Sequence, residues 1–191
     1  KVAMGTATFW LIVLTYLLSH FAQVGAIQHQ VPFLEDSGFA LAVSAGALGA
    51  VGLFSAFAKF GFGWLCDRVQ AKYALALGLV LQVVSIIVLM KISPGSPSWL
   101  AWLYAITMGL GIGSWLPAMA MLVSGYFGLK HYGVIFGAVT IPYAVGSAVG
   151  PLVAGRMYDT SGSYDSVFVL FLVLFIVSVG IILFTRHPSF H

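Results

Sequence analysis

The sequence predicts an all-α membrane protein of six transmembrane helices. Three observations carry that prediction. Of 191 residues, 61% are hydrophobic and only 7% are charged, against about 25% charged in an ordinary soluble domain. The mean hydropathy is +1.05, so there is too little polar side chain to cover a water-facing surface. The apolar residues also fall into six stretches, each long enough to cross a hydrocarbon core that needs about 20 residues of helix.

In order, the expected spans cover residues 6–28, 39–65, 73–92, 99–127, 132–158 and 167–185. Short segments rich in Pro, Gly, Asp and Ser separate them: VPFLEDSG, CDRVQAK, SPGSPS, GLKH and DTSGSYDS. Six spans put both termini on one side. Lys1, Arg68, Lys72, Lys130 and Arg186 fall on that side, and Lys91 and Arg156 on the other. Cations in short loops favour the cytoplasm, so both termini are expected there. The expected location is a plasma (cytoplasmic) membrane. Trp10, Trp64, Tyr73, Trp99, Trp102 and Tyr158 lie near span ends, where amphipathic rings suit the lipid–water interface.

The spans differ in kind. The first carries Tyr16, His20 and Gln23 at helical spacing. Along the second, Ala45, Gly49, Gly52, Ser55, Lys59 and Gly63 form a small or polar stripe interrupted by Leu48, with Leu53, Phe57, Phe60 and Trp64 elsewhere on the helix. The fourth is broken by Gly109, Gly111, Gly113 and Pro117, with Ser114 and Trp115 between them. On the fifth, Gly133, Gly137, Thr140, Ala144, Ser147, Pro151 and Gly155 line one face, and Gly146 and Gly150 make a GxxxG pair with Tyr143 on the same side. Small residues let helix backbones approach closely. The third and sixth spans are apolar almost all round, apart from Gln82, Ser85 and Ser178, and are expected to face lipid. The order polar-faced, polar-faced, greasy occurs twice, which is what two three-helix repeats predict.

Several chemistries are excluded or unsupported. No basic run marks a nucleic-acid partner. Cys66 is the only cysteine, so an intrachain disulfide is impossible. No GxxxxGK[ST] phosphate loop, metal-ligating cluster or nucleophile–base–acid set is present. Neither an enzyme nor a cofactor is expected. Lys1 is followed directly by an apolar span without a cleavage pattern, and the chain is expected to be a segment of a longer one.

The loop after the second span reads GWLCDRVQAKY. With Gly63, Asp67, Arg68 and Lys72 in place, it resembles the signature loop of the major facilitator superfamily, G-x-x-x-D-R/K-x-G-x-R/K-R/K. Gln70 stands where a second Gly is usual, and Tyr73 where a last cation is usual; such departures resemble the weaker copy in the C-terminal half. His29, Val31, Pro32, Asp36 and Gly38, the run Ala58 to Gly63, GYFGLKHYGVIFG and VGPLVAGRMYDTSGSY together resemble the last six helices of the monocarboxylate transporter and oxalate/formate antiporter group. The resemblance implies one half of a twelve-helix secondary carrier, working by alternating access against an N-terminal six-helix half. It also implies a gate at Asp67. An acid at the mouth of a bundle can pair with a cation or with a helix N-terminus, and the plain alternative is a solvated pair worth about 0–1 kcal/mol. Gly63, Asp67, Arg68, Lys72, Gly146, Gly150 and Pro151 are the candidate conformational residues.

Lys59 lies inside a span, where a cation costs about 2.5–3.5 kcal/mol near the centre. The family usually places an Arg there, eight residues before the loop Asp, and that Arg is implicated in binding a substrate carboxylate. Three roles compete for Lys59: anion ligand, ion-pair or coupling group, and a snorkel toward the interface, since Asp67 is about 12 Å away along the axis. Ser55, Tyr143, His20, Gln23 and Ser114 complete the candidate substrate set. The antiporter branch carries a second cation in its eleventh helix, but the matching span here has none before Arg156. A monocarboxylate, carried with a proton or by exchange, therefore fits better than a dianion. No Asp or Glu lies within a span; His20 and His29 are titratable, although a lone histidine in a packed bundle is commonly structural. The rival readings are a carrier of another solute, such as a sugar or drug, and a self-standing six-helix channel or scaffold.

Overall fold

The computed structural model describes residues 3–186. After a short 3-10 turn, Ala3–Gly5, the helices are α1 Ala7–Asp36, α2 Leu41–Cys66, α3 Ala71–Met90, α4 Trp99–Ile112, α5 Trp115–Phe127, α6 Tyr132–Ser161 and α7 Asp165–Phe184. With α4 and α5 counted as one broken span, six segments are long and apolar enough to cross a membrane.

One helix end differs clearly from the expected one. α1 does not stop near residue 28 but runs to Asp36, with Pro32 inside it, and α6 carries Pro142 and Pro151 without interruption. Proline removes one ladder hydrogen bond, yet in an apolar environment every other backbone group still gains by staying helical. α1 actually ends where Ser37 closes onto Phe33 O and Gly38 takes φ +87°.

The fourth span does break, and Pro117 explains where. It has no N–H to reach the carbonyl of Gly113 four residues back, and the chain tightens so that Ser114 N bonds Gly111 O at 3.2 Å. Pro117 is the third residue of α5, a first-turn position where a missing N–H costs nothing.

Packing follows a two-fold logic. α1 packs chiefly on α6 and α7, α4 chiefly on α2 and α3, and α3 lies against α7. Numbering the spans one to six and exchanging one with four, two with five and three with six maps the first four pairings onto one another and the α3–α7 pairing onto itself. This is the contact pattern of two interleaved three-helix repeats.

Glycines make the two main crossings possible. A carbon added at Gly146 or Gly150 would collide with the carbonyls of Leu17 or Phe21 on α1. One added at Gly109 would lie 2.6 Å from Val51 O on α2, and one at Gly113 would lie 2.8 Å from the Ala58 carbonyl carbon and 2.9 Å from Lys59 N. The outward faces of α3 and α7 are aliphatic, with Leu77, Val80, Val84, Ile87, Val169, Val173 and Ile176 exposed, while Gln82, Ser85 and Ser178 are buried. α2 and α6 are the least buried spans, although they carry the small-residue stripes.

Where α1 begins and α7 ends, two bonds hold the two residues that follow α7. Thr8 Oγ1 donates to Arg186 O at 2.8 Å, and Lys72 Nζ donates to Thr185 O at 3.1 Å. A cation at a helix C-terminus also meets the negative end of its dipole. Lys72→Met is expected to lower thermal stability of the full-length protein in detergent by about 0.5–1.5 kcal/mol, read as a fall in melting temperature.

Candidate functional site

Midway along α1, four rings converge from three spans. His20 is buried at 1% exposure. Its ring lies 4.2 Å from that of Tyr143 on α6, 5.3 Å from that of Trp115 on α5 and 5.8 Å from that of Tyr16 one turn away. Trp115 and Tyr143 are stacked at 4.9 Å and 17°. Tyr16 Oη donates to Trp115 O at 3.1 Å, which pins α1 to the start of α5. The break at Gly113–Ser114 places Trp115 here, because that carbonyl lies where the helical ladder restarts.

His20 Nδ1 lies 3.0 Å from Tyr16 O. A carbonyl only accepts, so Nδ1 carries the hydrogen and Nε2 presents a lone pair. Nε2 is buried without a partner, which costs about 1–3 kcal/mol for a buried polar group. Trp115 and Tyr16, which were outside the candidate substrate set, are therefore part of the cluster. Their signals in the sequence were the Gly113–Pro117 break and the one-turn spacing of Tyr16 from His20.

The other candidates are spread over several environments. Lys59 is exposed and, among the described residues, has no hydrogen-bond or ion-pair partner. Its backbone lies against Gly113, two residues from Trp115. Ser55 turns inward instead, buried at 9%, with its hydroxyl bonded to Gly52 O at 2.9 Å. Ser114 is buried at the break with its hydroxyl on Gly111 O at 2.8 Å, and Gln23 is buried on α1. Tyr143 and His20 meet; Ser55 and Ser114 spend their hydroxyls on their own helices.

The conformational candidates also separate. Asp67 is exposed and without a partner among the described residues. Arg68 stacks on Trp64, its guanidinium carbon 3.8 Å from the ring centroid. Lys72 holds the end of α7, as described above. Gly146 and Gly150 form the α1–α6 crossing. Pro151 O accepts from His29 Nε2 at 3.1 Å. Gly63 faces open space, as do Gly49, Gly52, Gly133 and Gly137: a carbon added at any of them meets nothing within 4 Å.

At the opposite end, His29 Nδ1 accepts from Tyr164 Oη at 3.3 Å, and Tyr158 Oη donates to Asp36 Oδ2 at 3.2 Å. Tyr158 and Tyr164 stack at 4.3 Å. Burial raises the Tyr164 phenol above its ordinary range, and Tyr158, Asp36 and Asp159 add to the shift. These bonds brace α1 against α6 and the loop that follows it. Among the described residues, no group of His, Cys, Asp or Glu could hold a metal.

A family model described as Major Facilitator Superfamily matches residues 2–191. The chain is 29% identical over 156 residues to human monocarboxylate transporter 11, covering 74% of this chain and 31% of that protein. It is 25% identical over 161 residues to human monocarboxylate transporter 12, covering 81% and 28%. It therefore spans about a third of the length of these relatives. Among solved structures, FucP, a major facilitator transporter in an outward conformation, superposes with TM-score 0.76 at 15% identity, over 95% of this chain and 43% of that one. A peptide transporter in complex with alafosfalin superposes with TM-score 0.76 at 18% identity, over 93% and 38%; both likenesses are of fold. Six apolar spans in two interleaved triplets, matched by the family model over nearly their whole length, make this chain an integral membrane protein that belongs to the major facilitator superfamily.

Proposed function

We propose that this chain is the C-terminal six-helix half of a secondary carrier for small organic anions of the monocarboxylate type, working by alternating access. The observation that carries the reading is Lys59. It is a cation within a span, on the small-residue side of α2, exposed and without a partner among the described residues. A charge in that position needs an offset, and a bound carboxylate provides one. As a point charge with three rotatable donors, an ammonium suits a small monoanion better than the bidentate grip of Arg. The names of both human relatives support the same class.

The partner is an N-terminal half that covers the open glycine faces of α2 and α6. Small residues at Gly49, Gly52, Gly133 and Gly137 allow close helix approach, and none of the described residues fills that space. Both termini lie in the cytoplasm on this reading, in a plasma membrane. Asp67 then gates the cytoplasmic side by pairing with a group of the other half, while Arg68 and Lys72 are held by Trp64 and Thr185.

The test is uptake of labelled formate, lactate and oxalate by the full-length protein in vesicles, with Lys59→Ala beside it. Saturable uptake of the monoanions is expected, falling by about tenfold or more in Lys59→Ala, equivalent to about 1.4 kcal/mol of lost anion binding. Uptake equal in both proteins removes Lys59 from the site. Uptake of sugars or drugs instead of carboxylates replaces the substrate class.

A further inference from the structure

We propose that His20 takes up a proton at Nε2 with each carried anion, making it the proton-coupling group of this half. The inference rests on the anion reading above.

Three observations converge on it. First, the spans hold no carboxylate well inside the bundle: Glu35, Asp36, Asp67, Asp159 and Asp165 all lie in the end turns of helices or beyond them. Second, the Tyr16 carbonyl fixes the His20 tautomer and leaves Nε2 as a basic lone pair, buried and unpartnered, at the point where α1, α5 and α6 meet. Third, the ring is walled by aromatic groups from two other helices. Trp115 and Tyr143 meet it in edge geometry at 5.3 and 4.2 Å.

The titratable neighbours are few. Tyr16 and Tyr143 touch the ring, and Ser19 Oγ lies 3.4 Å from Nδ1. Farther away, α2 carries Lys59 and Cys66, α5 carries Tyr126, α6 carries Tyr132 at its start and Arg156, Tyr158 and Asp159 near its far end, and α7 carries no charged side chain between Asp165 and its C-terminus. None of these supplies a negative charge beside His20. A lone positive charge buried there is unfavourable unless it is paired, so loading the proton and loading an anion favour each other. The step balances simply: Nε2 accepts a proton from a hydronium ion on one side, water leaves, and the same proton returns to water on the other. One anion and one proton crossing together carry no net charge.

The experiment compares two modes of transport by the full-length protein in vesicles loaded with a pH-sensitive dye, with lactate and formate as probes. One mode is uptake driven by an inward proton gradient. The other is exchange of labelled for unlabelled anion at equal pH, which needs no net proton movement. In His20→Gln, the ratio of driven uptake to exchange is expected to fall by about tenfold or more, with loss of the dye signal. A ratio that falls less than this overturns the proposal, as does equal loss of both modes. A second measurement follows the ring nitrogen directly. Nitrogen-15 spectra of histidine-labelled protein, assigned by difference against His20→Gln, are expected to show Nε2 passing from bare to protonated as pH is lowered, and at higher pH with formate present than without it. A nitrogen that stays bare refutes His20 as the proton site even where anion transport stands. If it titrates but neither anion is carried, the fault lies with the substrate reading and not with His20.

Discussion

Gly150→Leu is expected to prevent the bundle from assembling. In α6, Gly150 lies against the carbonyl of Phe21, and Gly146, one turn earlier, lies against that of Leu17. Overpacking a core with side-chain neighbours costs about 1–3 kcal/mol. Here the obstacle is the backbone of α1, which cannot rotate away. The only relief is to separate the helices, and that would undo the most extensive interhelical contact among the described residues. The full-length variant should show loss of the monodisperse peak in detergent and a sharp fall in melting temperature. Gly180→Ala is the matched control, because a carbon there meets nothing within 4 Å. A Gly150→Leu protein as stable as that control would show that the α1–α6 crossing is looser than described.

Gly113→Val is expected to damage function more than folding. The added atoms fall on Ala58 and on the backbone nitrogen of Lys59, so α4 must move away from α2 at the level of the lysine. The same residue precedes the break that sets Trp115 against His20 and Tyr143. A displacement there moves the cation and the aromatic cluster relative to each other. A stability loss of about 1–3 kcal/mol is expected, with uptake reduced by at least about tenfold in protein that still folds. Normal uptake in this variant would mean that the spacing of Lys59 from the ring cluster does not matter to transport.

The sequence foretold the number of spans, their triplet order and the greasy faces of α3 and α7. The reason is that hydrocarbon imposes one requirement, continuous apolar helix, and that requirement is written residue by residue. It was less informative about neighbours. Ser55 and Lys59 share a stripe in a helical count, but the buried face of α2 is narrow enough to take in Ser55 and leave Lys59 out. Gly146 and Gly150 face α1 while Gly133 and Gly137 face open space; nothing local distinguishes the two pairs, because the difference lies in which helix crosses where. The prolines show the same limit. Pro32, Pro142 and Pro151 ride inside helices, whereas Pro117 marks a break among glycines that pack against two neighbouring helices. Trp115 entered the His20 cluster for the same reason: its place depends on that break, not on its own identity.

The two glycine crossings have a common origin that bears on mutational tolerance. At α1–α6 the glycines that meet backbone sit on α6, and at α2–α4 they sit on α4, while Gly46 on α2 meets only the Trp102 side chain. Both α4 and α6 belong to the second triplet. The first triplet presents backbone at these places, from Leu17, Phe21, Val51 and Ala58, and backbone is common to every residue. The second triplet therefore acts as the mould and the first as the cast. In a saturation scan, the seam positions of the second triplet should reject nearly every side chain, while the facing positions of the first accept many. Two halves of similar architecture would then drift at different rates.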